Sequence, residues 1–347
     1  MKIIVDAMGG DNAPMSNVQG AVQAVRELGV EVTLVGRGGE IQAALQELQA
    51  DPDMPGLEIV HASEVVEMCD SAANAFREKK DSSLTVGLTL LKEGKGDAFV
   101  SAGSTGALLS GATLLTKRIR GIRRAAMAPQ IPTAGGKAVL IDCGATAECT
   151  PEYLLQFAFM GSYYAERVMG RPEPRVGLLN IGAEESKGTA LQQEAYALLK
   201  KAGDEGRIHF TGNVEARDAM LGAVDVIVAD GYAGNILLKG MEGTALFLNG
   251  KLKTMFKKNL LTKLAALFVS SGLKDLKKTL DSREVGGTPL VGISKPVIKA
   301  HGSSDGYAIK NAIAEAAKFA SSGLIEDITE NVSFMRLPVK TGETEKI

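Results

Sequence analysis

Short apolar runs recur along the chain, each followed by a glycine- or serine-rich turn and then by apolar residues at helical spacing. Lys2-Ile3-Ile4-Val5 opens the series and leads through Asp6, Gly9, Gly10, Asp11 and Pro14 into a helical pattern from Val18 to Leu28. VEVTLVGRGGEIQAALQELQA repeats the plan, and LEIVHA reads as a third strand. Asp81-Ser82-Ser83 is placed to cap a helix over Leu84–Leu91. Asp97 to Leu115, DAFVSAGSTGALLSGATLL, is again strand, small-residue loop and helix. KAVLIDCGAT and RVGLLNIGAEESKG continue the series, the first leading to a helix entered through Thr150 and Pro151. IHFTGN, VDVIVADGYAGN and KPVIKAHGSSDG complete it, with Ser303, Ser304 and Asp305 capping the last helix.

Strands alternating with helical patterns predict an α/β fold, a mostly parallel sheet with helices on both faces. In such sheets the loops at the carboxyl ends of the strands form the ligand crevice. The expected organisation is a single α/β/α domain over 1–330 with a polar tail, 331–347. One region departs from the plan. From 241 to 281 the spacing of Leu248, Leu252, Met255, Phe256, Leu260, Leu264 and Leu267 is helical, and lysines crowd the polar side. Two basic amphipathic helices meeting at an apolar tip are expected there, a projecting hairpin. Such a hairpin suits a dimer contact, a membrane surface, or both; at the surface Leu260, Leu261, Leu264, Leu267 and Phe268 would enter and the lysines meet anionic headgroups.

Composition narrows the class. A net charge of −2 and the absence of Trp give no case for nucleic acid. Three cysteines, Cys69, Cys143 and Cys149, show no metal-ligand or CxxC spacing and suit a reducing cytoplasm. A strand starting at Lys2 is read as leaving no signal peptide, and no metal or cofactor is expected. The uncharged run from Ala98 to Thr116 has a membrane span's length, but its glycines and hydroxyls argue against one. Neither GxGxxG in the first β–α unit nor GxxxxGK[ST] anywhere is present.

The loop Ser101-Ala102-Gly103-Ser104-Thr105-Gly106 offers backbone N–H groups and hydroxyls at a helix start, a layout suited to phosphate, and equally to a tight β–α turn. Its candidate phosphate ligands are Ser101, Gly103, Ser104, Thr105 and Gly106. Asp6, Gly9, Gly10 and Asp11 read as loop-shaping residues.

VDAMGGDNAP, SAGSTGAL, RVGLLNIGAEESKG, DGYAGNILLK and VIKAHGSSD, in that order, resemble the bacterial phosphate acyltransferases of phospholipid synthesis. The resemblance runs from Lys2 to about Ala320. It departs where Asn12 replaces a more usual His, and where Ser104 and Thr146 replace Asn. The resemblance implies a fold similar to phosphotransacetylases and isopropylmalate-type dehydrogenases. It implies transfer of an acyl group from acyl carrier protein (ACP) to orthophosphate, in a homodimer held peripherally at the cytoplasmic face of an anionic membrane.

In that reaction phosphate attacks a thioester carbonyl and a thiolate leaves, so positioning and charge stabilisation dominate. Three residues are candidates for the reacting centre. Lys187 resembles the family's loop lysine, though by itself it reads as a surface partner of Glu184 or Glu185. Asn235 is placed to donate to phosphate or an oxyanion, or to shape its turn. His301 is placed to bind phosphate, to protonate the leaving sulfur, or to orient its loop. Basic runs at Arg77–Lys80 and Arg118–Arg124, or the lysine-rich hairpin, are candidate faces for acidic ACP. Two other readings stay open: a phosphotransacetylase acting on acyl-CoA, and a non-catalytic membrane-bound protein.

Overall fold

The computed structural model describes residues 1–335 apart from Met68 and Ala73, so the expected tail lies outside the described residues from 336 onward. In chain order its elements begin with β1 (Lys2–Asp6), α1 (Met15–Leu28), β2 (Glu31–Gly36), α2 (Gly38–Glu47) and β3 (Leu57–His61). Next come α3 (Ala75–Glu78), α4 (Ser83–Lys92), β4 (Ala98–Ser101), α5 (Thr105–Gly111) and a π-helical turn, Ala112–Thr116. β5 (Ala126–Met127), β6 (Gln130–Thr133), β7 (Gly136–Ile141), α6 (Pro151–Arg167) and β8 (Val176–Asn180) form the middle of the chain. They are followed by α7 (Ala190–Asp204), β9 (Phe210–Glu215), α8 (Ala216–Met220) and β10 (Val226–Val228). The last elements are α9 (Gly231–Lys257), α10 (Leu260–Phe268), α11 (Ser270–Leu280), β11 (Gly287–Val291), β12 (Val297–Ala300), α12 (Gly306–Ser321) and α13 (Leu324–Glu330).

The strands divide between two sheets, one of seven strands ordered β3-β2-β1-β4-β12-β11-β5 and one of five ordered β6-β7-β10-β8-β9. Most pairs are parallel, as the alternating plan predicts; β5, β6 and β11 add antiparallel pairs at or near the edges. The chain changes sheet at Ala128–Pro129. There the Ala128 amide donates to Pro289 of the first sheet, and the Pro129 carbonyl accepts from Leu140 of the second. It returns through α9, α10 and α11.

Central strands are buried on both faces, which is why they read as unbroken apolar runs: Ile3, Ile4, Val5 and Phe99 have no more than 1% exposure. One hydrophobic core runs from Ile3 and Val100 through Ile122, Phe157 and Tyr164 to Val226, uniting both sheets. Each such side chain contributes ~1.5–3 kcal/mol relative to leaving it exposed. A polar clamp adds to it: Tyr164 Oη donates to Glu315 at 2.7 Å, and Gln130 donates to both, tying α6 and β6 to α12. α1 and α12 cross closely because Gly20 has no side chain; a Cβ there would lie 2.5 Å from that of Ile309.

Two of the expected caps form side-chain bonds, while Thr150 stands at the start of α6 without one and, of Ser303, Ser304 and Asp305, only Asp305 caps α12. Ser82 accepts from Thr85 N at the start of α4, and Asp305 from Ala308 N at 2.9 Å at the start of α12. The projecting region differs from expectation in two respects. α9 begins at Gly231, not near 241, because Asp230 caps it by accepting from Ala233 N at 2.8 Å. Three helices, not two, follow one another. Asn259 Oδ1 accepts from Thr262 N at 2.9 Å while Thr262 Oγ1 accepts from Asn259 N at 3.1 Å, so the apolar tip starts a helix of its own. Beyond its first turns α9 leaves the body: only Gly231 and Gly234 are buried in it, and α10 and α11 bury no residue.

Candidate active site

Three loops of the first sheet converge at the carboxyl ends of β1, β4 and β12. Asp6, the last residue of β1, is buried; its Oδ2 accepts from Ser101 Oγ at 2.7 Å and its Oδ1 from Met8 N at 3.1 Å. Burial pushes its pKa up, and the hydroxyl and amide donors around it pull the other way. Ser101 Oγ in turn accepts from Gly103 N at 3.1 Å. Asn17 reaches from α1 to donate to the carbonyls of Asp6, Ala7 and Gly9. Gly9 admits no side chain, since a Cβ would stand 2.5 Å from Asp6 Oδ2 and 2.7 Å from Gly103 N. Gly10 takes φ +99° beside Ala102 and Gly302. Asp11 N donates to Gly302 O at 2.8 Å, and Asn12 Nδ2 to the carbonyls of Ser303 and Ser304, each at 3.2 Å. Asn12 thus joins two loops through its amide donor.

This geometry sorts the expected phosphate ligands. The Ser101 hydroxyl is buried and committed to Asp6, and Ser104 caps α5 through Ala107 N at 3.5 Å. Ser101 therefore shapes the loop and is not placed to hold a ligand through its hydroxyl. Thr105 and Gly106 lie in the first turn of α5, half-buried. His301 is exposed, and its Nδ1 lies 2.9 Å from Ser303 Oγ.

The second sheet contributes the facing loops. Asp142, just past β7, is fully buried, and its carboxylate accepts from four amides: Met127 at 2.8 Å, Cys143 at 2.7 Å, Ala145 at 3.2 Å and Thr146 at 2.7 Å. α9 starts against this loop, where Gly231 N donates to Thr146 O at 2.8 Å. Gly234 packs so closely that a Cβ would fall 2.0 Å from Asp142 O. Asn235 therefore stands in the first turns of α9, beside Gly144, and not in a strand-end loop as its glycine-rich surroundings suggest. Lys187, past the end of β8, is half exposed and 4.0 Å from Glu184, while its carbonyl accepts from Asn180. Lys187 and Asn235 belong to the second sheet's loops and His301 to the first sheet's; among the described residues no hydrogen bond joins the three.

The thiols are poor nucleophiles. Burial and the neighbouring Asp142 charge push the Cys143 thiol far up, and burial holds Cys149 up at about 12. Both remain protonated near neutrality. His61 and His209 serve the backbone: His61 Nδ1 accepts from Gly38 N, and His209 Nδ1 lies 3.2 Å from Glu173 O. Of the basic runs, Lys79 is paired with Asp70 at 2.5 Å, and Arg124 lies over the Tyr153 ring. Lys299 and Asp142 are buried charged residues of this region that no motif singles out. Lys299 had a visible signal, a lone charge inside the apolar run Val297-Ile298-Lys299-Ala300.

A mostly parallel α/β fold in two sheets, with the candidate residues in loops and helix starts that follow the strands, places the chain in the phosphotransacetylase-like fold class. A phosphotransacetylase from Streptococcus pyogenes superposes with a TM-score of 0.64 at 17% identity, over 92% of this chain and 94% of that one. A 4-hydroxythreonine-4-phosphate dehydrogenase from Klebsiella pneumoniae superposes at 0.55 and 15% identity, over 92% and 99%. At these identities the likeness is one of fold. Sequence goes further: residues 1–327 match the family described as fatty acid synthesis protein. The phosphate acyltransferase of Alkaliphilus oremlandii (strain OhILAs) is 50% identical over 96% of this chain and 98% of its own length. That of Clostridioides difficile (strain 630) is 43% identical over 99% and 100%. The chain belongs to the phosphate acyltransferase family.

Proposed function

We propose that the protein moves the acyl group of an acyl-ACP directly onto orthophosphate, giving acyl phosphate and free ACP for phospholipid synthesis. The observation behind this reading is membership of the phosphate acyltransferase family over nearly the whole chain; the burial of the Cys143 thiol and the part-burial of Cys149, which hold both protonated, fit direct attack by phosphate. A phosphate oxygen attacks the thioester carbonyl carbon, the oxyanion collapses, the C–S bond breaks and the thiolate departs with a later proton. Phosphate is already anionic near neutrality, so the protein's task is to hold it and to stabilise the oxyanion. The amides of Gly103 to Gly106 hold phosphate in this reading. Lys187 supplies charge to the reacting centre, Asn235 a donor from α9, and His301 a proton for the departing sulfur. Incubation with palmitoyl-ACP and phosphate, with hydroxylamine as trap, should yield acyl hydroxamate well above that formed without phosphate or without the protein, since hydroxylamine also attacks the thioester itself. Free fatty acid without hydroxamate would make the protein a thioesterase, and turnover of acetyl-CoA but not of palmitoyl-ACP would make it a phosphotransacetylase. Lys187→Ala is expected to lower turnover at least about tenfold; a near-normal rate would leave Lys187 as the surface partner of Glu184.

The same reading puts the apolar tip on a membrane. Leu260, Leu261, Leu264, Leu267 and Phe268 are 53–89% exposed, with lysines on the flanking helices. Among the described residues no helix is long and apolar enough to cross a membrane, so the contact is a surface one. Leu264→Glu should weaken flotation with anionic liposomes while leaving activity on soluble acyl-ACP intact; unchanged flotation would remove the membrane role. A second copy of the chain covering Leu246 and Phe247, which are 74% and 61% exposed on α9, fits a homodimer, and sedimentation equilibrium would reveal its mass.

A further inference from the structure

Among the described residues Lys299 is the only buried lysine or arginine. It is the third residue of β12, a strand paired on both sides, by β4 and β11. An ammonium in such a place is costly unless hydrogen bonds and an opposite charge offset the loss of water. Its Nζ donates to the carbonyl of Ala102 at 3.3 Å and to that of Ala300, the positions just past β4 and at the end of β12. An ammonium has three donors, and these carbonyls occupy two. No carboxylate of the described residues comes within the 4.0 Å of an ion pair. Asp6 and Asp11 act on it only as neighbouring fields, with the Asp6 oxygens already accepting from Ser101 and Met8. From the facing side Lys239 of α9 adds repulsion. Burial brings the Lys299 pKa down to about 8, against the pull of Asp6 and Asp11 and with the push of Lys239. The cation thus lacks a contacting counter-charge where the loops of both sheets face each other. A second buried polar group, five residues further along the chain, is also unused. Ser304, in the loop that follows β12, is 5% exposed, and its hydroxyl has no partner.

We propose that Lys299 is the buried anchor of the substrate phosphate, its third N–H and the Ser304 hydroxyl meeting phosphate oxygens beneath the Gly103–Gly106 loop. This rests on the acyl-to-phosphate reading and refines it. Lys299 binds the nucleophile from the first sheet, while Lys187 serves the thioester from the second. A lysine merely tying β4 to β12 would affect folding and all kinetic constants alike, whereas an anchor affects phosphate alone.

The test is steady-state kinetics of the full-length protein, with phosphate and acyl-ACP varied separately, alongside thermal melts in inorganic phosphate against chloride at matched ionic strength. Lys299→Met should raise the KM for phosphate at least about tenfold and leave that for acyl-ACP within about twofold. It should also abolish the rise in melting temperature that phosphate gives the parent protein. Ser304→Ala removes a hydroxyl that bonds nothing in the protein, so folding is kept, and the KM for phosphate should rise about threefold. It decides the matter if Lys299→Met does not fold. An unchanged phosphate KM in Ser304→Ala, or in a folded Lys299→Met, overturns the anchor while the parent's transfer to phosphate still stands. A parent protein that transfers nothing to phosphate and is not stabilised by it overturns the underlying reading as well.

Discussion

Gly234→Ala is expected to reduce acyl transfer by about 100-fold, the scale that a 1 Å displacement of reacting groups produces. The added methyl carbon would fall 2.0 Å from Asp142 O, and backbone atoms of Cys143 also stand within 3.3 Å, so no side chain can swing aside to make room. The first turns of α9 would have to lift off the Asp142 loop, carrying Asn235 with them. Far-UV circular dichroism should stay close to the parent, since the core lies elsewhere. Parent-like turnover would show that the contact between α9 and the Asp142 loop does not set the geometry of catalysis.

Asp142→Ala should lower stability by about 4 kcal/mol, because removing the carboxylate strands amides that it now satisfies. Four N–H groups depend on it, from Met127, Cys143, Ala145 and Thr146. Water admitted into the gap would recover part of the loss. Asp142→Asn keeps the shape and one acceptor oxygen but turns an NH2 toward donors, so its stability should fall between the two. Urea denaturation monitored by circular dichroism measures both. A midpoint for Asp142→Ala within error of the parent would mean that the loop finds other acceptors.

What the sequence disclosed was mostly local. The strand–loop–helix rhythm, the caps at Ser82 and Asp305 and the exposure of the Leu260–Phe268 tip follow from spacing and capping chemistry within a few residues. The division into two sheets was hidden, because it depends on pairings between distant segments such as Val297 with Phe99. β5 and β6 escaped for a related reason: Ala126-Met127 and the Pro-containing Gln130–Thr133 are too short to show a period, and only their partners make them strands. In the candidate site, Ser101 looked like a ligand because its neighbours are small and polar. Its bond to Asp6 spans 95 residues and cannot be seen from the motif. The sequence around Asn235 reads as a loop, since three glycines in Gly231–Gly240 outweigh local helix propensity, whereas Asp230 caps a helix there. Lys299 is hard to place from sequence because lysine is ordinarily a surface residue, and its burial depends on β4 and β11 pairing on either side.

α9 begins at the Asp142 loop and runs for 27 residues, about 40 Å at the usual helical rise, before α10 starts. The Asp142 loop and the start of the Leu260–Phe268 tip are therefore held at the two ends of one helix. Exposed Tyr232, Ile236, Leu246, Phe247, Leu248 and Met255 recur along α9 between the two, so an apolar side of the stem joins the Asp142 loop to the tip.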